Sequence, residues 1–201
     1  MIIIGLTGPS GAGKGVVSTI LREKYGLYTI DADKVYHSLV SSPSKCLEEI
    51  KYHFGEKTVN SDGALDRVVL RKMVFGKENS ERLELLNQIT PKYVLNSIRD
   101  EIKSLDQSIA GCVVDAPLLI ESGFADECDF TVSVLADESV RARRISERDG
   151  LSHSDSLKRI RSQKPDEFYT DNTDYFLTND GDIASLEASL SKIIEKRGLS
   201  T

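Results

Sequence analysis

Apolar residues follow two rhythms along this chain, and the alternation between them predicts its elements. Ile2-Ile3-Ile4-Gly5-Leu6 is an apolar run, the pattern of a strand buried on both faces, and it leads into a Gly-rich turn over 8–15. Helical spacing of apolar residues follows to about Lys24. A second short run, Leu27-Tyr28-Thr29-Ile30, ends in Asp31-Ala32-Asp33, and a helix carrying Val35, Leu39 and Val40 comes next. Pro43 predicts the first turn of another helix, with Leu47 and Ile50 on one face. Residues 54–66 read as a loop around Asn60, Asp62 and Gly63. Helical spacing resumes over 67–75 and from about 80 to 105, with a break or new first turn at Pro91. Two buried-strand runs lie at 111–115 and 129–135. A charged helix over 137–148, a helix over 152–162, a strand at 175–178 and a final helix over 183–196 complete the pattern, without repeats or low-complexity tracts.

Strands separated by helices imply an α/β fold: a five-stranded parallel sheet flanked by helices. The stretch from 32 to 110 carries no strand and is too long for a simple crossover, so it predicts a largely helical insertion. The expected layout is one domain, with a core of about 1–31, 108–136 and 172–201, a helical region over 32–107 and a lid over 137–171. In such sheets, ligands bind beyond the carboxyl ends of the strands.

Composition narrows the class. At 201 residues, 39% hydrophobic and 29% charged, the chain fits one soluble globular domain and excludes disordered, collagen-like and fibrous proteins. Its 26 basic against 32 acidic residues give a net charge of −6, which argues against a general nucleic-acid binder but leaves room for a local anion site. No apolar run approaches the roughly 18 residues of a membrane span. No basic segment precedes the first apolar run, so it reads as a core strand and not a signal peptide. Three widely spaced cysteines, Cys46, Cys112 and Cys128, form no CxxC and fit reduced thiols in a cytoplasmic protein.

The chemistry starts at Gly8-Pro9-Ser10-Gly11-Ala12-Gly13-Lys14, a phosphate-loop motif between a strand and a helix. Its glycines let successive N–H groups turn toward phosphate oxygens, the helix N-terminus adds a positive dipole, and Lys14 reaches the β- and γ-phosphates. Gly15 stands where a Ser or Thr usually follows the lysine, and neither it nor Val16 nor Val17 offers Mg²⁺ a ligand. Magnesium would then be held by water, ATP phosphates and a nearby carboxylate, Asp33 or Asp115 acting through water. No side chain is assigned as a direct metal ligand.

Asp31 and Asp33 end the second strand. Asp31 is assigned mainly to helix capping and Asp33 to a direct role, accepting a proton from an attacking hydroxyl. Asp115 is read equally as a water-mediated metal contact or as the closure of the Asp115-Ala116-Pro117 turn. Arg141, Arg144 and Arg148 share a helix face at i, i+3 and i+7, either as a lid that neutralises a transferred phosphoryl group or as a solvated face paired with Glu138, Glu147 and Asp149. Arg67 meets either a substrate phosphate or a neighbour such as Asp66. His37, His53 and His153 are isolated, and Tyr36, Tyr93 and Tyr169 read as core or boundary residues.

The order of motifs spans nearly the whole chain. It runs from Ile4-Gly5-Leu6-Thr7-Gly8 and the phosphate loop through Ile30-Asp31-Ala32-Asp33, Phe54-Gly55, Leu65-Asp66-Arg67 with Leu70, Val74-Phe75 and Leu86-Asn87-Gln88-Ile89-Thr90-Pro91. It continues through Asp115-Ala116-Pro117-Leu118-Leu119-Ile120-Glu121, Arg144-Ile145-Ser146-Glu147-Arg148, Arg159-Ile160-Arg161-Ser162-Gln163, Asp174-Tyr175 and Asn179-Asp180-Gly181. This set resembles the dephospho-coenzyme A kinases, which have a P-loop kinase fold.

The resemblance implies transfer of the ATP γ-phosphate to the ribose 3′-hydroxyl of dephospho-CoA, with Mg²⁺, as the last step of CoA synthesis. It implies ATP contacts at Gly8, Ser10, Gly11, Ala12, Gly13, Lys14, Gly15, Val16, Arg144, Asn179 and Gly181, with Asn179 to Gly181 near the adenine. It implies acceptor contacts at Asp33, Arg67, Asp115 and Leu118, and catalytic roles for Asp33, Lys14 and Arg144. Gly15 departs from the pattern, as does Thr90-Pro91 where the family often has His-Pro. The phosphate loop is also very like that of cytidylate kinases, so a nucleoside monophosphate acceptor is the alternative; a regulatory nucleotide binder without transfer activity is another, supported only by Gly15.

Overall fold

The computed structural model describes residues 1–74, 76 and 79–199, which form two compact units, residues 1–30 with 106–201 and residues 31–105. In the first unit, β1 (Ile2–Thr7), α1 (Lys14–Tyr25) and β2 (Tyr28–Asp31) come first, and β3 (Gly111–Asp115) and β4 (Phe130–Leu135) follow the second unit. The helical unit holds α2 (Ala32–Ser41), α3 (Lys45–Phe54), α4 (Arg67–Val74) and α5 (Ser80–Ser104). After β4 come α6 (Glu138–Asp149), α7 (His153–Arg161), α8 (Asp166–Asp171), β5 (Tyr175–Thr178) and α9 (Ile183–Lys196).

The sheet order is β2-β3-β1-β4-β5. β1 pairs in parallel with β3, Ile4 opposite Val113, and with β4, Leu6 opposite Val132. Lying central in the sheet explains why β1 reads as continuous apolar sequence: Ile4 and Leu6 are fully buried. They join Val132, Val134 and Leu177 in a core completed by Val17 and Leu21 of α1 and Leu186, Leu190 and Ile194 of α9. Because β3 and β4 leave β1 on opposite sides, the loop after β1 emerges at a topological switch point, the place where such sheets bind ligands.

Helices α6 and α7 pack on each other around a small apolar centre of their own, Ala142, Ile145 and Ile160 with Leu151 and Leu157. Each starts on a side-chain cap: Asp137 accepts from the Ser139 N–H, and Ser152 from the Asp155 N–H. The α8 turn is absent from the sequence pattern because six residues are too few to show a period.

The helical unit packs around Val40, Leu47, Ile50, Phe54, Leu65, Leu70, Val74 and Ile89. Its 54–66 loop contains a 3₁₀ turn at Glu56–Thr58 and an antiparallel bridge between Val59 and Leu65. Two proline expectations are corrected. Pro43 is not in a first helical turn: α3 starts after Ser44, whose hydroxyl accepts the Leu47 N–H, a service that proline cannot perform. Pro91 does not break α5, which runs unbroken for 25 residues. Its missing N–H leaves the Asn87 carbonyl without a helical donor, but Asn87 is exposed and water can serve it. Packing on α2, α3 and α4, with Ile89 and Ile98 buried, holds both halves in line. Phe75, at the expected end of α4, lies outside the described residues. No helix among the described residues is long and apolar enough to cross a membrane.

Asp174 fixes β4 against β5. Its carboxylate accepts from the buried Thr131 N–H at 2.7 Å and from the Thr131 hydroxyl at 2.9 Å. Asp174→Ala leaves that N–H without its acceptor and should lower unfolding free energy by about 1–3 kcal/mol, read from urea denaturation; Asp174→Asn, which keeps an acceptor oxygen, should cost less.

Candidate active site

A backbone loop that turns its N–H groups toward an anion must satisfy its carbonyls on the other side. Residues 8–14 do this with donors from four side chains. Lys14 Nζ donates to the Gly8 carbonyl at 3.2 Å, and Arg141 Nε to the Ser10 carbonyl at 3.1 Å. Arg144 Nη1 donates to the Gly11 and Ala12 carbonyls at 3.3 Å each, and Asn179 Nδ2 to the Ala12 carbonyl at 2.8 Å. Meanwhile the N–H groups of Lys14 and Gly15, in the first turn of α1, have no intrahelical acceptor. The loop therefore presents donors, a helix N-terminus and a lysine on one side, the requirements of a polyphosphate site.

Two glycines are demanded by geometry. Gly8 has φ +139°, and a Cβ there would lie 2.2 Å from the Val134 carbonyl oxygen. Gly11, φ +82°, rides over α6, where a Cβ would come within 2.8 Å of the Arg141 carbonyl oxygen. Gly13 caps α1 in the left-handed region. Gly15 differs: it is an ordinary helical residue, exposed, with nothing within 4 Å of where a Cβ would sit. A side chain at 15 is thus sterically free.

The structure gathers Lys14, Arg144 and Asn179 around this loop. Val16 follows on α1 with 38% of its surface exposed, and Gly181 is exposed at the turn into α9. Asp180 adds a contact the sequence did not signal, accepting the Asp137 N–H at 2.6 Å and tying this turn to the start of α6. Asp115 ends β3 half-buried, and Leu118 is 57% exposed beyond it.

The expected face of three arginines divides. Arg141 and Arg144 meet the phosphate loop, whereas Arg148 is exposed and bonds Asp149 at 2.7 Å. Arg159 reaches the same carboxylate, and these partners, Arg148 first, hold Asp149 down at a pKa of about 2. Glu138 pairs with Arg161 of α7. For Arg148 the solvated, paired alternative is the one realised.

In the helical unit, Asp31 caps α2, accepting the Lys34 N–H at 3.1 Å, and Asp33 is exposed in the first turn. Arg67 does not pair with Asp66, which instead caps α4 through the Val68 and Val69 N–H groups. Its guanidinium lies against the His37 ring, with nitrogen contacts of 2.6 and 3.2 Å, so His37 is not isolated. Sequence offers no sign of this pair, which lies 30 residues apart. Arg67, Val68, Arg71 and Lys72 line a surface recess of about 460 Å³ on α4. Nearby, Tyr93 and Lys92 bond Glu49, which pushes the Tyr93 hydroxyl up to about 12. Burial pushes the Cys46 thiol to about 11 and the Cys128 thiol to about 12, so neither is activated.

The two glycine classes predict opposite outcomes. Gly8→Ala should lower the melting temperature and abolish ATP binding, because the loop must move off Val134. Gly15→Ala should raise stability by about 0.4–1 kcal/mol in thermal unfolding, since alanine adopts helical angles with less unfolded-state entropy.

Residues 2–185 match the family model described as CoaE, dephospho-CoA kinase. A dephospho-CoA kinase of Corynebacterium glutamicum is 37% identical over 195 residues, covering 96% of each chain. The crystal structure of TT1252 from Thermus thermophilus superposes with a TM-score of 0.79 at 31% identity, covering 97% of each chain. A dephospho-CoA kinase structure from Campylobacter jejuni shares the fold at a TM-score of 0.69 and 24% identity, over 97% of this chain and 96% of that one.

Proposed function

The chain belongs to the dephospho-CoA kinase family, and we propose on that premise how its residues divide the work of phosphorylating the ribose 3′-hydroxyl of dephospho-CoA with ATP. The observation that carries the reading is the phosphate loop, its carbonyls engaged by Arg141, Arg144 and Asn179 and the Lys14 and Gly15 N–H groups at the start of α1 left without an intrahelical acceptor. ATP phosphates bind across residues 8–16, with Lys14 released from the Gly8 carbonyl to bridge the β- and γ-phosphates. Arg144 is placed to neutralise charge that develops on the transferred group, having a guanidinium already at Gly11 and Ala12. Asn179 and Gly181 border the nucleotide's base.

Asp33 receives or orients the proton of the attacking 3′-hydroxyl. Its neighbour Asp31 has one carboxylate oxygen committed to the α2 cap, which leaves Asp33 as the exposed carboxylate of the pair. Arg67 contributes to acceptor binding, and the cationic recess on α4 suits the negative phosphates of dephospho-CoA. Asp115 and Leu118 contribute a polar and an apolar contact to the acceptor. Magnesium would be held by the triphosphate and water, with Asp33 or Asp115 as an outer carboxylate, because Gly15 provides no oxygen; its chemistry there is neutralisation of phosphoryl charge.

Acceptor identity is tested by ADP release from Mg-ATP with dephospho-CoA, CMP, AMP or no acceptor. Release that requires dephospho-CoA and yields CoA is expected; turnover with CMP alone would make the chain a nucleotide kinase. Asp33→Asn should retain ATP affinity and lose at least about 100-fold in kcat, and unchanged turnover would remove it as the base. Gly15→Ser should lower the Mg²⁺ concentration giving half-maximal rate, since the open space there admits a hydroxyl ligand.

A further inference from the structure

Two polar side chains beneath the phosphate loop take no part in the chemistry above. Arg141 is only 4% exposed, and burial of its guanidinium lowers its pKa against the pull of Asp166. A buried cation is costly unless well paired. Its carboxylate partner Asp166 is half exposed and 3.4 Å away, a long contact that does not account for the burial. The shorter contacts go elsewhere. Arg141 Nε donates to the Ser10 carbonyl, Arg141 Nη2 to Gln163 Oε1, and the Ser10 N–H to that same Gln163 oxygen, all at 3.1 Å.

These three bonds close a ring through Ser10. The Ser10 N–H belongs to the peptide plane before the residue and its carbonyl to the plane after it, so side chains fix both planes. Gly11 follows with φ +82° and sits on the α6 backbone at Arg141 itself. The loop's turn toward phosphate therefore starts from an orientation set by a helix and by the segment after α7, two elements far from residue 10 in sequence. Gln163 is suited to this because one amide oxygen has two lone pairs and here accepts two donors.

We propose that Arg141 and Gln163 are positioning residues for the transfer: by holding both peptides of Ser10 they set the geometry in which the loop's N–H groups meet the triphosphate. The proposal rests on residues 8–16 being the ATP site. Misplacement of about 1 Å costs a reaction on the order of 100-fold, so a displaced loop apex registers in nucleotide binding and turnover. The acceptor is unaffected, because neither residue contacts it in this account.

The test measures calorimetric ATP binding without acceptor, steady-state kinetics with each substrate varied, and thermal unfolding, for wild type, Gln163→Met, Gln163→Glu, Arg141→Met and the double methionine variant. Gln163→Met removes the shared acceptor and should weaken ATP binding and raise the ATP KM about tenfold, while the dephospho-CoA KM changes less than twofold. Gln163→Glu keeps an oxygen for both donors and should stay within about threefold of wild type. The double variant should bind ATP no more than about twofold worse than Arg141→Met, because both substitutions break one network. Should Arg141→Met fail to fold, the contrast between the two Gln163 variants decides alone. Wild-type affinity for ATP in Gln163→Met, equal rises in both KM values, or a Gln163→Glu as impaired as Gln163→Met would each overturn the proposal. A wild-type protein that binds no ATP would overturn the reading of the site beneath it instead.

Discussion

The polarity of a single stretch of backbone organises much of the first unit. Residues 8–14 can offer N–H groups to an anion only if their carbonyls find donors, and within the loop only Lys14 and the Ala12 N–H, which bonds the Pro9 carbonyl, are seen to serve that need. The other donors come from α6 and from the end of β5, through Arg141, Arg144 and Asn179, while Gln163, after α7, accepts the Ser10 N–H. Sheet order makes this convergence feasible. β1 is central and β4 and β5 follow on one side, so the chain that leaves each of these strands begins at the same edge of the sheet as the loop. The turn at Asn179 and the start of α6 are further joined by the bond between Asp180 and the Asp137 N–H.

Placement of charge follows from the same constraint. The chain is acidic overall, yet its buried guanidinium lies under the loop that would take up a polyanion. Arg141 and Arg144 are one helical turn apart and both point at carbonyl oxygens, whereas Arg148, one turn further, has left the loop behind and ends on Asp149. A helix rises about 5.4 Å per turn, so two turns exhaust the length of a short loop. The three arginines are equivalent in the sequence pattern and differ only in how far along the helix the loop extends.

This explains which parts of the protein were legible in its sequence. All five strands were, because each reads as a short apolar run bounded by turn residues; the inner strands β1, β3 and β4 are nearly continuous in this respect because both their faces are covered, as in Gly111–Asp115. Asp31 as a cap and the phosphate loop between β1 and α1 were legible because each depends on residues close in sequence. What escaped depends on distant partners. Arg67 meets His37 and not the adjacent Asp66; Arg141 is buried against residues more than 100 positions away; α5 passes through Pro91 because neighbouring helices hold it. Local rules misjudge Pro43 as well, where a serine one residue on makes the better cap.

Gly15 separates what the fold requires from what the chemistry uses. Gly8 and Gly11 are fixed by backbone angle and by carbonyls lying where a Cβ would go, so the loop cannot keep its shape with other residues there. At Gly15 the helix is ordinary and the space is open, and the usual hydroxyl could be accommodated without strain. Its absence therefore bears on the metal and not on the loop. An ion that keeps several waters tolerates the loss of one protein ligand provided the triphosphate itself is held correctly. That shifts the burden of alignment onto the backbone, whose apex is fixed through the two peptides of Ser10.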